Sequence, residues 1–98
     1  MVKHMIVWKL KEEFKDRDNC KREIKEQLEG LVGKIPGLRD MHIYFDPMKG
    51  STGDIFMDST FDDKASLAAY QKNFLHIEIA NTLVRPAVEQ RLSFDYEI

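Results

Sequence analysis

I-F-M-D-S-T-F-D-D-K-A-S-L-A-A-Y, residues 55–70, changes its period half-way along. Ile55, Met57, Ser59 and Phe61 alternate with Phe56, Asp58 and Thr60, the pattern of a strand whose two faces meet different surroundings. Asp62 or Asp63 then offers a helix cap, and Leu67 and Tyr70 follow at helical spacing. The segment in front is another strand: Met41, Ile43 and Phe45 alternate with His42 and Tyr44 across Leu38–Phe45. Only Asp46-Pro47 and the flexible loop Gly50-Ser51-Thr52-Gly53 separate the two. Two consecutive strands followed by a helix form the centre of the chain.

Upstream, Cys20, Ile24, Leu28, Leu31 and Val32 recur at helical spacing opposite Arg22, Lys25, Glu26 and Glu29. Asp16 or Asp18 caps this helix, and Gly33 followed by Pro36-Gly37 ends it. Before it, Val2–Leu10 reads as a strand with His4, Ile6, Trp8 and Leu10 on one face and Met5, Val7 and Lys9 on the other. Downstream of Tyr70 the helical pattern continues or restarts near Phe74, with His76, Ile79, Ala80 and Leu83 on one stripe and Pro86 closing it. Leu92, Phe94, Tyr96 and Ile98 then alternate with Ser93, Asp95 and Glu97 as a last strand.

The order strand, helix, strand, strand, helix, strand predicts an α+β, ferredoxin-like β-α-β-β-α-β protomer with a four-stranded antiparallel sheet, one domain over residues 1–98. Its helices cover one sheet face. The other carries Met5, Val7, Phe56 and Tyr44, too apolar for water, so the expected partner is a second copy packed sheet against sheet. Lys9 and Asp58 lie on that same face, on strands this topology makes adjacent, and are expected to pair.

Composition narrows the function. A formal charge of −2 with interspersed signs offers no basic footprint for nucleic acid and no polybasic patch for a membrane. No run of eighteen apolar residues occurs, and the apolar N-terminal segment stops at Lys9 and Lys11, so neither a membrane span nor a signal peptide is expected. A single cysteine, Cys20, rules out an intrachain disulfide and is expected to be a small buried hydrophobe; the cytoplasm is the expected location. Three histidines show no H-x-x-x-H or H-E-x-x-H spacing, so no metal site is expected.

Polar side chains on the helix-covered side mark the candidate site. Tyr70 and His76 sit on the inward side of otherwise apolar turns, and alternation directs His4, Ile6, Met57 and Ser59 into the same space. A neutral histidine can remove an acidic carbon-bound proton while a phenol donates to the enolate oxygen that develops. The blander reading satisfies both with a backbone carbonyl or water at the edge of the core. His4 is read as a ligand donor on the pocket floor or as a group bonded to its neighbours, and Trp8 as a pocket wall or plain core.

V-K-H-M-I-V-W-K-L-K at 2–11, L-V-G-K-I-P-G-L at 31–38, S-T-F-D-D-K-A-S-L-A-A-Y at 59–70 and L-V-R-P-A-V-E-Q-R-L-S-F-D-Y at 83–96 together resemble the stress-responsive dimeric α/β-barrel (Dabb) family. The resemblance implies a ferredoxin-like protomer in a homodimeric barrel. One plant member, olivetolic acid cyclase, carries out a cofactor-free aldol cyclisation with a tyrosine and a histidine; Tyr70 and His76 match that pair in spacing, and His4 matches a pocket histidine. The likeness therefore implies Tyr70 and His76 as catalytic residues, a pocket of His4, Ile6, Trp8, Ile55, Met57 and Ser59, and no cofactor. Asn73-Phe74-Leu75-His76 stands where the family often has His-Pro-x-His, and Ile55 where the cyclase has another histidine, which points to a different substrate.

The expectation is thus a small-molecule binding protein with acid/base chemistry at Tyr70 and His76. The alternatives are a noncatalytic homo-oligomer with the space filled by Trp8, Met57 and Phe74, and, by fold analogy alone, a cofactorless monooxygenase.

Overall fold

A computed structural model describes all of residues 1–98. Strand β1 (Val2–Leu10) buries Val2, His4, Ile6, Trp8 and Leu10, the set its alternation predicts. Helix α1 (Arg17–Glu29) starts after Asp16 and buries Cys20, Ile24 and Leu28. It ends at Gly30, before the apolar repeat runs out, so Val32 lies in the following turn and is exposed rather than on the helix stripe. Strands β2 (Leu38–Phe45) and β3 (Ile55–Phe61) follow, then helix α2 (Lys64–Lys72), capped by the Asp63 carboxylate accepting from Ser66 N–H at 2.7 Å. That capping hydrogen bond holds the Asp63 carboxyl below its ordinary range.

The second helical region restarts instead of continuing. Asn73 is extended (φ −69°, ψ 133°) and its side chain accepts from Leu75 N–H, opening helix α3 (Phe74–Ile79). A π-helical turn, Ala80–Val84, comes next, with Arg85 N–H reaching five residues back to the Ala80 carbonyl at 2.9 Å. Strand β4 (Val88–Glu97) completes an antiparallel sheet in the order β2-β3-β1-β4.

Helix α1 is fastened to β2 by polar groups at the rim of the core. Glu29 Oε2 accepts from Ile43 N–H and from Lys25 Nζ, each at 2.8 Å, and Lys25 Nζ also donates to the Ile43 carbonyl at 2.9 Å. Burial pushes the Glu29 carboxyl up, yet these donors outweigh it and hold it below the usual range. The turn into β2 approaches α2 closely: Gly37 has φ +83°, and a Cβ there would lie 2.3 Å from Ser66 Oγ. Only glycine fits that place.

On the helix-free face the register aligns apolar side chains across strands. Tyr44 faces Phe56, Phe56 faces Val7 and Val7 faces Leu92, while Met5 faces Phe94. Tyr44 and Phe56 stack with ring centres 6.0 Å apart. The apolar half of β4, namely Leu92, Phe94 and Tyr96, therefore extends this surface instead of joining the core.

The expected Lys9–Asp58 pair does not form. Asp58 lies opposite Met5, diagonal to Lys3, whose Nζ meets Asp58 Oδ1 at 2.6 Å, whereas Lys9 is opposite Gln90. Register decides this: the two expected partners sit at different levels of the ladder. The Asp58 hydrogen bond raises the Lys3 ammonium above its ordinary pKa.

Candidate functional site

The space between sheet and helices is not filled at the β1–β4 end. A cavity of about 330 Å³ remains, near the lower bound of the roughly 300–1,000 Å³ usual for ligand pockets. Strand β1 contributes His4, Ile6 and Trp8, and β3 contributes Met57. Leu28 of α1, Tyr70 and Gln71 of α2 and His76 of α3 form the opposite wall; Ala80 and Val84 of the π turn, with Arg85 after it and Arg91 of β4, complete it.

Tyr70 is held by packing. Its ring is 4.9 Å from Phe61 and 4.3 Å from His76 between centres, and only 1% of the residue is exposed. Burial pushes its phenol far above the ordinary value, against a smaller downward pull from Arg91, so the group is a proton donor at any physiological pH. No group of the chain hydrogen-bonds its hydroxyl. His76, in the first turn of α3, is half-buried, and its Nδ1 is enclosed without a hydrogen-bond partner. Burial lowers the imidazole pKa; the Gln71 backbone pulls it upward, while His4, Arg91 and Arg85 add smaller downward contributions. A neutral imidazole thus faces a protonated phenol.

His4 is arranged differently. Its Nδ1 lies 2.5 Å from Asp95 Oδ1, and its backbone carbonyl accepts from Ser59 Oγ at 2.7 Å. A carboxylate can only accept, so the Nδ1 that faces it donates, and Nε2 is the ring nitrogen with no bond to Asp95. The His4 and Tyr70 ring centres are 6.5 Å apart.

Of the residues singled out from sequence, Tyr70, His76, His4, Ile6, Trp8 and Met57 surround this one cavity. Ile55 and Ser59 do not. Both are buried, but Ser59 spends its hydroxyl on the His4 backbone, and Trp8, the cross-strand neighbour of Ile55, lines the wall at that level. Phe74 is exposed and fills nothing. Sequence reasoning passed over Arg91, Asp95, Arg85 and Gln71. The first two had a signal: Arg91, Ser93 and Asp95 are the alternate positions to the apolar half of β4, so they turn to the helix side once that half turns away. No three His, Cys, Asp or Glu side chains converge on one point.

The model of the stress responsive A/B barrel domain matches residues 2–98. The chain belongs to that family. No curated protein matches it in sequence. Among solved structures it is similar to a dimeric protein of unknown function with a ferredoxin-like fold from Bacteroides fragilis, at 26% identity and TM-score 0.89, covering 99% of this chain and 95% of the other. A hydroxynitrile lyase from Passiflora edulis is similar at 18% identity and TM-score 0.80, covering 99% and 92%. A putative antibiotic biosynthesis monooxygenase from Nitrosomonas europaea gives 13% identity and TM-score 0.77 over 99% and 97%. At such identities the last two share the fold alone. No helix of this Dabb-family chain is long and apolar enough to cross a membrane.

Proposed function

We propose that this Dabb-family chain binds a small, partly apolar molecule in the cavity and moves a proton on it. His76 acts as base towards an acidic C–H, and Tyr70 donates to the enolate oxygen that develops. One observation carries the reading: the rings of Tyr70 and His76 lie 4.3 Å apart between centres on a largely apolar cavity wall, His76 Nδ1 is enclosed without a hydrogen-bond partner, and no group of the chain bonds the Tyr70 hydroxyl. Such groups ordinarily find partners. A ligand oxygen and its neighbouring C–H supply them. The His4–Asp95 pair holds a second imidazole beside the same space and would orient the ligand.

The functional unit is a homodimer through the helix-free sheet faces. Its support is the exposed apolar row, with Leu92 62% and Phe94 70% exposed, together with the dimeric Bacteroides fragilis protein of the same fold. Phe94→Asp should leave a folded monomer in sedimentation; a persistent dimer would place the interface elsewhere.

Benzoylacetone, a neutral carbon acid of suitable size, tests the site. Its methylene protons should exchange in deuterium oxide faster with the protein than with buffer, and His76→Ala should remove about 100-fold of that rate. Binding without accelerated exchange would leave a binding protein and remove the catalyst. No binding at all would favour the noncatalytic homo-oligomer.

A further inference from the structure

The cavity wall has a charge imbalance that acid/base chemistry at Tyr70 and His76 does not use. It contains Arg85 and Arg91 and not one Asp or Glu, in a chain whose 17 acidic residues outnumber its 15 lysines and arginines. Elsewhere Arg17 bonds the Lys11 carbonyl and Asp54, and Arg39 bonds Asp62, while Arg22 stands exposed on α1 away from the cavity. Arg85 and Arg91 make no hydrogen bond or ion pair with any group of the chain. The carboxylates on the helix-facing side of β4 are taken, Asp95 by His4 and Glu97 by Lys64. Both guanidinium groups are also near enough to His76 to disfavour its charged form.

We infer that the cavity takes a carboxylate with an apolar body, its charged end held by Arg91 and Arg85 and its body against Ile6, Trp8 and Met57. Resting on the reading of this cavity as a ligand site, the inference adds the substrate class. A guanidinium presents paired N–H donors that match a carboxylate and no acceptor, so carboxylate is the fitting partner for two arginines that share one cavity wall with no acid beside them. Position supports the division of labour. Arg91 lies opposite Trp8 and Asp95 opposite His4, four residues apart on β4, roughly 13 Å along the strand. The charged end and the His4 end of a ligand are therefore separate places. An extended acid with a carbonyl or acidic C–H away from its carboxylate can reach both.

Phenylacetate and its neutral isostere phenylacetamide, titrated by NMR into the intact protein, separate the possibilities. The carboxylate should bind at least about tenfold more tightly than the amide, the equivalent of one charge-assisted contact. Arg91→Gln should abolish that preference, Arg85→Gln should reduce it, and Arg22→Gln, outside the cavity, should leave it as in the parent. Unfolding midpoints equal to that of the parent protein confirm that each variant is folded. Equal binding of acid and amide to the parent overturns the carboxylate assignment while leaving the cavity as a ligand site. A preference that survives Arg91→Gln and Arg85→Gln together overturns it as well. If neither compound perturbs the cavity at millimolar concentration, the ligand-site reading falls with it.

Discussion

Where α1 meets β2 the layer between sheet and helices is solid, whereas beneath α3 and the π turn it is open. At the solid end Ile24 and Ile43 are 0% and 1% exposed, and the polar groups at the rim, Glu29, Lys25 and the Ile43 backbone, satisfy one another. At the open end His76 Nδ1 is left without a partner and the Tyr70 hydroxyl bonds to nothing in the chain, beside two arginines with no ion pair. The same sheet supports both. The difference comes from the covering layer: α1 presents an uninterrupted apolar stripe, but the second helical region breaks at Asn73 and widens at Ala80–Val84, and the edge strand below it offers Arg91, Ser93 and Asp95. A small domain can thus concentrate its packing in one half and leave chemistry in the other.

That contrast can be broken by measurement. Ile43→Ala at the solid end should cost about 2–5 kcal/mol in urea unfolding, because the surrounding α1–β2 clamp limits collapse into the void. A loss below about 1 kcal/mol would show that end to be as loose as the cavity. On the open face, a double-mutant cycle of Lys3→Ala and Asp58→Ala should give a coupling of about 1 kcal/mol, while Lys9→Ala with Asp58→Ala should be additive. The reverse result would reinstate the pairing expected from sequence.

Acidity should act on the open end through His76. Its folded pKa lies below the ordinary 6.5, so between those two values the unfolded chain binds more protons. Stability should therefore fall as pH drops below about 6.5 and be fully present above it. His76→Ala should flatten that slope, and an unchanged slope would assign it to other groups. Smallest of all, Tyr70→Phe should change stability by less than about 0.5 kcal/mol, since the hydroxyl it removes bonds to nothing in the chain. A loss above about 1 kcal/mol would mean that the hydroxyl is satisfied in solution and would weaken its assignment as donor to a ligand.

The fold was legible because every strand alternates and both helical regions are bounded by Asp, Asn, Gly or Pro. Most of the cavity was legible for the same reason: parity alone puts His4, Ile6, Trp8 and Met57 on the helix side. What parity cannot supply is depth and level. Ser59 has the right parity yet is too short and already bonded; Ile55 has it at a level where Trp8 forms the wall. The Lys9–Asp58 expectation failed similarly, since sharing a face says nothing about ladder register. Arg91 and Asp95 were missed because the side on which an edge strand turns its apolar half depends on its pairing with β1.

The π turn at Ala80–Val84 has a consequence for how such a pocket can diverge. It holds one residue more than an α-helical turn would, so deleting a single residue there lets the ordinary i to i−4 ladder resume. The widened turn absorbs the extra residue, so the flanking residues keep their faces after such a deletion and the change falls on the turn itself, which holds Ala80 and Val84 on the cavity wall. Changes of chain length at this one turn, with no substitution elsewhere, can reshape the cavity wall while its charged residues stay in place. Lineages sharing this scaffold therefore have a route to new ligand chemistry that an aligned column of side chains would record only as a gap.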